Sequence, residues 1–161
     1  MQSKYTFKFA HTRLSFLRLT LFTDYAMRVL MHLAADPDRQ SSVGQIARDF
    51  AISRNHLTKV VHGLSRAGYI ASARGRGGGI RLARPAEQIV VGEVVRRTED
   101  GFQLFDCGAC LIAPACGLTP VVSEALAAFL GVLDRYTLAD LVAGKDAMRA
   151  LFAAPPQPAA A

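Results

Sequence analysis

The sequence predicts a mainly α fold: a winged helix-turn-helix with a small two-stranded wing, plus a long C-terminal dimerisation helix. Three observations carry that expectation. Apolar residues recur at helical spacing in successive segments joined by very short linkers. A glycine run flanked by arginines separates two short alternating stretches, as in a hairpin. Nearer the C-terminus, one helix-length segment is apolar on two faces at once.

Residues 1–17 complete no helical or strand period, and this stretch reads as an N-terminal extension, disordered or arising from a mis-assigned start. A first helix is expected over about 22–35, where Leu21, Tyr25, Val29 and Leu33 share a face and Asp36-Pro37-Asp38 stops the pattern. A second is expected over about 43–50, with Val43, Ile46, Ala47 and Phe50 at i, i+3, i+4 and i+7. A third follows Ser53 as N-cap and runs to about Ala67, its apolar stripe formed by Leu57, Val60, Val61 and Leu64, with Gly68 just past its end. Tyr69 to Ala73 and Gly79 to Ala83 read as the strands of the wing, and Val91 to Thr98 as a fourth helix. These elements make residues 18–99 a winged-helix domain.

Residues 100–119 are a loop rich in Gly, Pro and Cys, and residues 120–143 hold the dimerisation helix and a short final helix opened by the capping box Thr137-Leu138-Ala139-Asp140. In the long helix, Val122, Leu126, Phe129 and Leu133 make one apolar face and Val121, Ala125, Ala128 and Val132 another, so one side can pack at home and the other on a symmetry mate. The Pro/Ala-rich stretch 153–161 is expected to be a disordered tail.

Composition narrows the function. The 161 residues carry 19 Lys+Arg against 13 Asp+Glu, a formal charge of +6, and the charge is uneven. Residues 1–17 hold three basic and no acidic residues, 18–99 thirteen basic and seven acidic, and 100–161 three basic and six acidic. A basic body followed by an acidic third suggests that the first part meets a polyanion. The longest apolar stretch, Val121 to Leu133, is too short for a bilayer, and no secretory signal pattern is visible, so a cytoplasmic protein is expected.

Two helices joined by the tight Ala51-Ile52 linker form a helix-turn-helix, whose second helix lies in the DNA major groove. Ala51 stands where glycine is usual. With the apolar stripe turned inward, Ser53, Arg54, Asn55, Thr58, Lys59 and His62 are left to meet double-stranded DNA, being residue types that reach phosphates and base edges. Arg74, Arg76 and Arg81 surround the glycine run and suit a minor-groove or backbone contact. A nucleotide-binding glycine loop is disfavoured because Gly75-Arg76-Gly77-Gly78-Gly79 leads into a strand and not into a helix.

All three cysteines, Cys107, Cys110 and Cys116, lie within one ten-residue stretch at C-x2-C-x5-C. Their number and clustering read as a ligand set and not as a disulfide framework. Soft thiolates select zinc, copper(I) or iron–sulfur clusters. An iron–sulfur site is the first reading, because no fourth Cys or His follows Cys116 as a structural zinc site would want; zinc and a C-x-x-C redox pair stay open as alternatives.

Taken together, these motifs resemble the superfamily of bacterial winged-helix regulators that includes the NsrR and IscR types. The likeness runs over about residues 18–143, through Arg18-Leu19-Thr20-Leu21-Phe22-Thr23-Asp24-Tyr25-Ala26, Ser53-Arg54-Asn55-His56-Leu57-Thr58-Lys59-Val60 and Gly77-Gly78-Gly79-Ile80-Arg81-Leu82. It is greatest to the nitric-oxide-sensing NsrR type, through Cys110-Leu111-Ile112-Ala113-Pro114-Ala115-Cys116-Gly117-Leu118 and Tyr136-Thr137-Leu138-Ala139-Asp140-Leu141. The resemblance implies a homodimeric repressor whose 2Fe-2S or 4Fe-4S cluster is attacked by nitric oxide, with cluster nitrosylation or loss releasing a near-palindromic operator. It also implies Cys107, Cys110 and Cys116 as the protein thiolates, and matches Asp24 to an aspartate that in some members supplies a fourth ligand from the other subunit.

The chain departs from the pattern at two places. The first two cysteines are usually further apart than Gly108-Ala109 sets them here, and residues 1–17 have no counterpart, Leu17-Arg18-Leu19-Thr20 aligning with a usual Met-Arg-Leu-Thr start. A regulator of iron or cluster supply is the nearest rival; the IscR type carries a histidine three residues after the last cysteine, where this chain has Thr119. No catalytic base or nucleophile arrangement is apparent, so an enzyme is not expected.

Overall fold

A computed structural model describes residues 18–73, 78–102, 104–105, 107–108 and 110–153. Helix α1 (Leu21–Ala35) is the centre of the packing, with Ala26, Val29, Leu30 and Leu33 buried along one stripe. Helices α2 (Val43–Asp49) and α3 (Arg54–Arg66) lie against it through Ile46, Leu57, Val60 and Leu64, all buried. The same core takes in Ile80 of the wing, Ile89, Val94 and Leu138, so the C-terminal region shares the core of the DNA-binding part.

The expected helices stand within two residues of their predicted ends, and local chemistry explains why. The Thr20 and Ser42 hydroxyls accept from Thr23 N–H and Gln45 N–H at the starts of α1 and α2. Ser53 occupies the N-cap of α3, but its side chain makes no capping bond, a correction to its expected role. Gly68, at φ +76°, ends α3 in a Schellman motif, with Tyr69 N–H donating to Leu64 O at 2.9 Å and Gly68 N–H to Ser65 O at 3.1 Å. The linker residue Ala51 adopts φ +51°, the left-handed conformation that makes glycine usual there.

Strands β1 (Ile70–Ala73) and β2 (Gly79–Leu82) pair antiparallel, with Ile70 opposite Leu82 and Ala73 opposite Gly79. A bridge between Ser41 and Ile80 ties the wing to the segment before α2, through Ile80 N–H to Ser41 O at 2.8 Å and Ser41 N–H to Ile80 O at 3.1 Å.

Helix α4 (Val91–Thr98) is followed by the cysteine loop, α5 (Leu118–Leu133) and α6 (Leu138–Leu141), which opens on the expected capping box between Thr137 and Asp140. Helix α5 starts at Leu118, two residues inside the expected loop; Pro120 is tolerated because a first-turn residue needs no intrahelical N–H bond. A further helix, α7 (Lys145–Ala153), extends into the start of the expected tail. Residues 1–17 and 154–161 lie outside the described residues.

Candidate nucleic-acid interface and cysteine loop

Helix α3 divides cleanly into an inner and an outer side. Leu57, Val60, Val61 and Leu64 are buried, while Ser53, Arg54, Asn55, Thr58, Lys59 and His62 are exposed together on the opposite face. Burial of the apolar stripe leaves those polar side chains exposed to solvent, at positions where a groove can receive them. The Thr58 hydroxyl donates to Arg54 O at 2.8 Å, so its one hydrogen is spent within the helix and it can meet DNA only as an acceptor. Gly63 permits the close approach of α3 to α1: a Cβ there would lie 2.8 Å from Phe22 Cζ.

On the wing, Arg81 is exposed on β2 opposite Ala71, whereas Arg74 and Arg76 lie outside the described residues. Arg84, just after the wing, places its guanidinium carbon 4.7 Å from the centre of the Tyr69 ring. Burial pushes the Tyr69 hydroxyl above its usual titration range, and Arg84 opposes that shift.

The cysteine loop is a series of tight turns. Cys110 N–H donates to Cys107 O, Ala113 N–H to Cys110 O and Cys116 N–H to Ala113 O, each across three residues, at 3.1–3.3 Å. One 3-10 turn, Ala113–Ala115, leads into Cys116. Cys107 and Cys110 are exposed, Cys116 is half-buried, and all three are free thiols. As a donor set, soft and uncommitted to disulfides, they suit an iron–sulfur cluster or zinc. Among the described residues, however, no three Cys, His, Asp or Glu are gathered closely enough to hold a metal ion.

Asp24, in the first turn of α1, is paired with Arg28 one turn on, through Arg28 Nε to Asp24 Oδ1 and Arg28 Nη2 to Asp24 Oδ2, both at 3.0 Å. Beside it, Thr20 donates from its N–H and hydroxyl to Glu99 Oε1 at 2.8 and 3.0 Å, and the Thr23 hydroxyl donates to that of Thr98 at 2.8 Å. These bonds fasten the start of α1 to the end of α4. Arg96 of α4 then grips Asp134, at the end of α5, with two hydrogen bonds of 2.6 Å. That bidentate contact holds the Asp134 carboxyl below the usual carboxylate range and pushes the Arg96 guanidinium further up. Arg28, Glu99, Arg96 and Asp134 were missed by sequence reasoning. Only the four-residue spacing of Asp24 and Arg28 was a visible signal.

A path of polar contacts thus runs from the helix-turn-helix scaffold through α4 to α5, which the cysteine loop enters. The family model described as an iron-dependent transcriptional regulator, Rrf2, matches residues 19–144. The chain is 51% identical over 136 residues to the HTH-type transcriptional regulator NsrR of Bacillus subtilis strain 168, covering 81% of this chain and 93% of that protein. It is 49% identical over 142 residues to the NsrR of Shouchella clausii, covering 84% and 95%. Among solved structures, T. potens IscR is similar with a TM-score of 0.65 and 31% identity, covering 83% of this chain and 90% of that one. The global cysteine regulator CymR of B. subtilis is similar with a TM-score of 0.62 and 25% identity, covering 80% and 98%. Among the described residues, no helix is long and apolar enough to cross a membrane. With its helix-turn-helix, its wing and this match, the chain belongs to the Rrf2 family of transcriptional regulators, a DNA-binding protein and not an enzyme.

Proposed function

We propose that the protein is a homodimeric transcriptional repressor that senses nitric oxide through an iron–sulfur cluster held by Cys107, Cys110 and Cys116. The observation that carries this reading is the position of the three free thiols, on the loop that runs straight into α5. That helix has no buried residue in the single chain, and Val121, Ala125, Ala128 and Val132 stand exposed along one side. An uncovered apolar face of that kind favours a second copy, and a twofold dimer would carry two α3 helices to half-sites about 34–36 Å apart on a near-palindromic operator.

In this reading Ser53, Arg54, Asn55, Thr58, Lys59, His62 and Arg81 hold the operator, together with Arg74 and Arg76 from the segment between the wing strands. Bound iron and sulfide would supply the centre with which nitric oxide reacts. The thiolates of Cys107, Cys110 and Cys116 would hold it at the base of α5, and Asp24 of the other subunit would complete the ligand set. To do so Asp24 would leave or share Arg28, so the start of α1 would depend on the state of the partner's loop. Because α1 is bonded to α4 and α4 to α5, a change in the loop would alter the spacing of the two DNA-reading heads.

The test is an anaerobic absorbance spectrum of the purified protein, with iron and sulfide quantified, alongside operator binding before and after nitric oxide. A coloured protein that loses operator affinity on exposure is the expected result. An apo protein that binds the same operator as tightly as the holo form would overturn the reading. The description of the family as iron-dependent favours one second reading, a regulator of iron or cluster supply. That regulator would release DNA on iron chelation and would be indifferent to nitric oxide at equal cluster content.

A further inference from the structure

Helix α5 is fastened to the winged-helix body at its C-terminal end. Val91 N–H donates to Tyr136 O at 2.9 Å and Leu138 N–H to Ile89 O at 2.8 Å, and Val90 bridges to Thr137, so the chain just after the helix is laced to the segment that opens α4. Nearer the middle of α5 the packing is open: a cavity of about 340 Å3 is lined by its Ala125, Leu126 and Phe129 and by Leu19, Phe102 and Leu104. The cysteine loop enters at the far end, at Leu118. The 16 residues of α5 make a rod of about 24 Å, and a turn of about 10° at its fixed end carries the other end by about 4 Å.

One ion pair spans α4 and α5 beside that end. Arg96, on α4, and Asp134, the C-cap of α5, meet through two hydrogen bonds of 2.6 Å, from Nη1 to Oδ1 and from Nη2 to Oδ2. Two parallel bonds between planar groups set an orientation as well as a distance, which a single charge contact does not. The pair is seated on Gly92: a Cβ there would overlap Asp134 Oδ1 and lie 3.1 Å from Arg96 Nη1, so the fork closes only over a residue without a side chain. Asp134 also stands where the helix dipole disfavours a carboxylate, since α5 ends there and has no basic residue in its last turn. The cation that compensates it comes from another helix, 38 residues away in the chain. The two side chains are 42% and 39% exposed, where an ion pair adds little stability, so what this one supplies is geometry.

We propose that Arg96 and Asp134, closed over Gly92, are positioning residues that fix the angle at which α5 leaves the winged-helix body, and with it the spacing of the two α3 helices in the dimer. This holds only if the protein is the DNA-binding dimer proposed for it. When two copies join through α5, each winged-helix body hangs from that helix by its α4 contact, and the angle there sets how far apart the two bodies stand. One base-pair step is about 3.4 Å, the same order as the displacement that a turn of about 10° makes over the length of the helix. A closed fork therefore holds the dimer to one half-site spacing, and an open one lets the bodies reach neighbouring spacings.

The experiment selects binding sites from a pool of random-sequence duplex DNA with the full-length protein, purified anaerobically, and compares the wild type with Gly92→Ala and Asp134→Ala. The wild type is expected to recover two inverted half-sites at a single separation, and both variants the same half-sites at several. On duplexes built from those sites, one inserted base pair should weaken the wild type by about tenfold, because a rigid dimer makes the DNA absorb the strain, and either variant by less than about threefold. A loss of folded protein alone lowers the amount bound but leaves the preferred separation unchanged, so it cannot imitate this result. Variants that keep the wild-type separation and the wild-type penalty would overturn the proposal while leaving the DNA-binding dimer intact. A wild type that recovers only single half-sites would overturn the dimer itself, and the positioning role with it.

Discussion

Replacing Gly79 by alanine tests how the wing is held. A Cβ at this position would lie 2.9 Å from Ser41 O and 3.3 Å from Ser41 C, both backbone atoms that no side-chain rotation can move aside. The strand would have to back away from the segment before α2 by a few tenths of an ångström, on the order of what restores van der Waals contact. The same carbonyl accepts from Ile80 N–H at 2.8 Å, and Ser41 N–H returns a bond to Ile80 O at 3.1 Å. Both bonds would stretch. Each is worth about 1 kcal/mol net, and alanine recovers roughly 0.4–1 kcal/mol by restricting the unfolded chain, so Gly79→Ala should cost about 1–2 kcal/mol. Urea unfolding followed by circular dichroism reads this as a midpoint lowered by about 0.5–1 M for an ordinary m value. Operator affinity should fall as well, because the wing would be re-aimed while the core face of α3 is untouched. An unchanged or raised midpoint with unchanged affinity would refute the close-approach argument.

Other outcomes follow from single features. Ala51→Gly should raise stability by up to about 1 kcal/mol in the same unfolding assay, since φ +51° strains alanine more than glycine. Leu57→Ala removes a fully buried side chain of α3 and should cost about 2–5 kcal/mol, read as a large fall in the urea midpoint. Lys59→Ala should weaken operator binding whatever the base sequence and flatten the dependence of log affinity on log salt by about one unit, measured by fluorescence anisotropy. Asp134 and Asp140 are both held below the ordinary carboxylate range, by Arg96 and by Thr137. Their stabilisation is present above the unfolded carboxylate value and is lost as pH falls through the lower folded values. Acid unfolding of the wild type should therefore steepen below about pH 4, and Asp140→Ala should lessen that steepening.

Much of the DNA-binding half was legible because its signals are local. The stripe Leu57, Val60, Val61 and Leu64 named the buried side of α3, and its complement named the exposed side. Gly68 and the capping box at Thr137 are short-range hydrogen-bond chemistry, which a sequence window contains whole. Helix α7 was not read from the sequence, which assigned no element to residues 144–152, although Met148, which packs on the core, and Phe152 sit four residues apart. Ser53 looked like a cap from its type alone, but whether a hydroxyl bonds its helix depends on a rotamer that composition does not determine.

The sequence by itself determined the fold class, the order of α1 to α6 with the two wing strands, the polar face of α3 and the close spacing of three cysteines, because each rests on residues within a few turns of one another. Only the tertiary structure decided that Gly79 is packed on a backbone carbonyl, that Thr20 meets Glu99, that Arg96 clamps Asp134, and that His32 and Arg149 share one cavity. Those partners stand 38 to 117 residues apart along the chain, and no periodicity links them. They meet because burial of the α1 stripe draws α4, α6 and the wing around one helix, and polar groups at the rim of that core then pair with whatever the packing brings within reach.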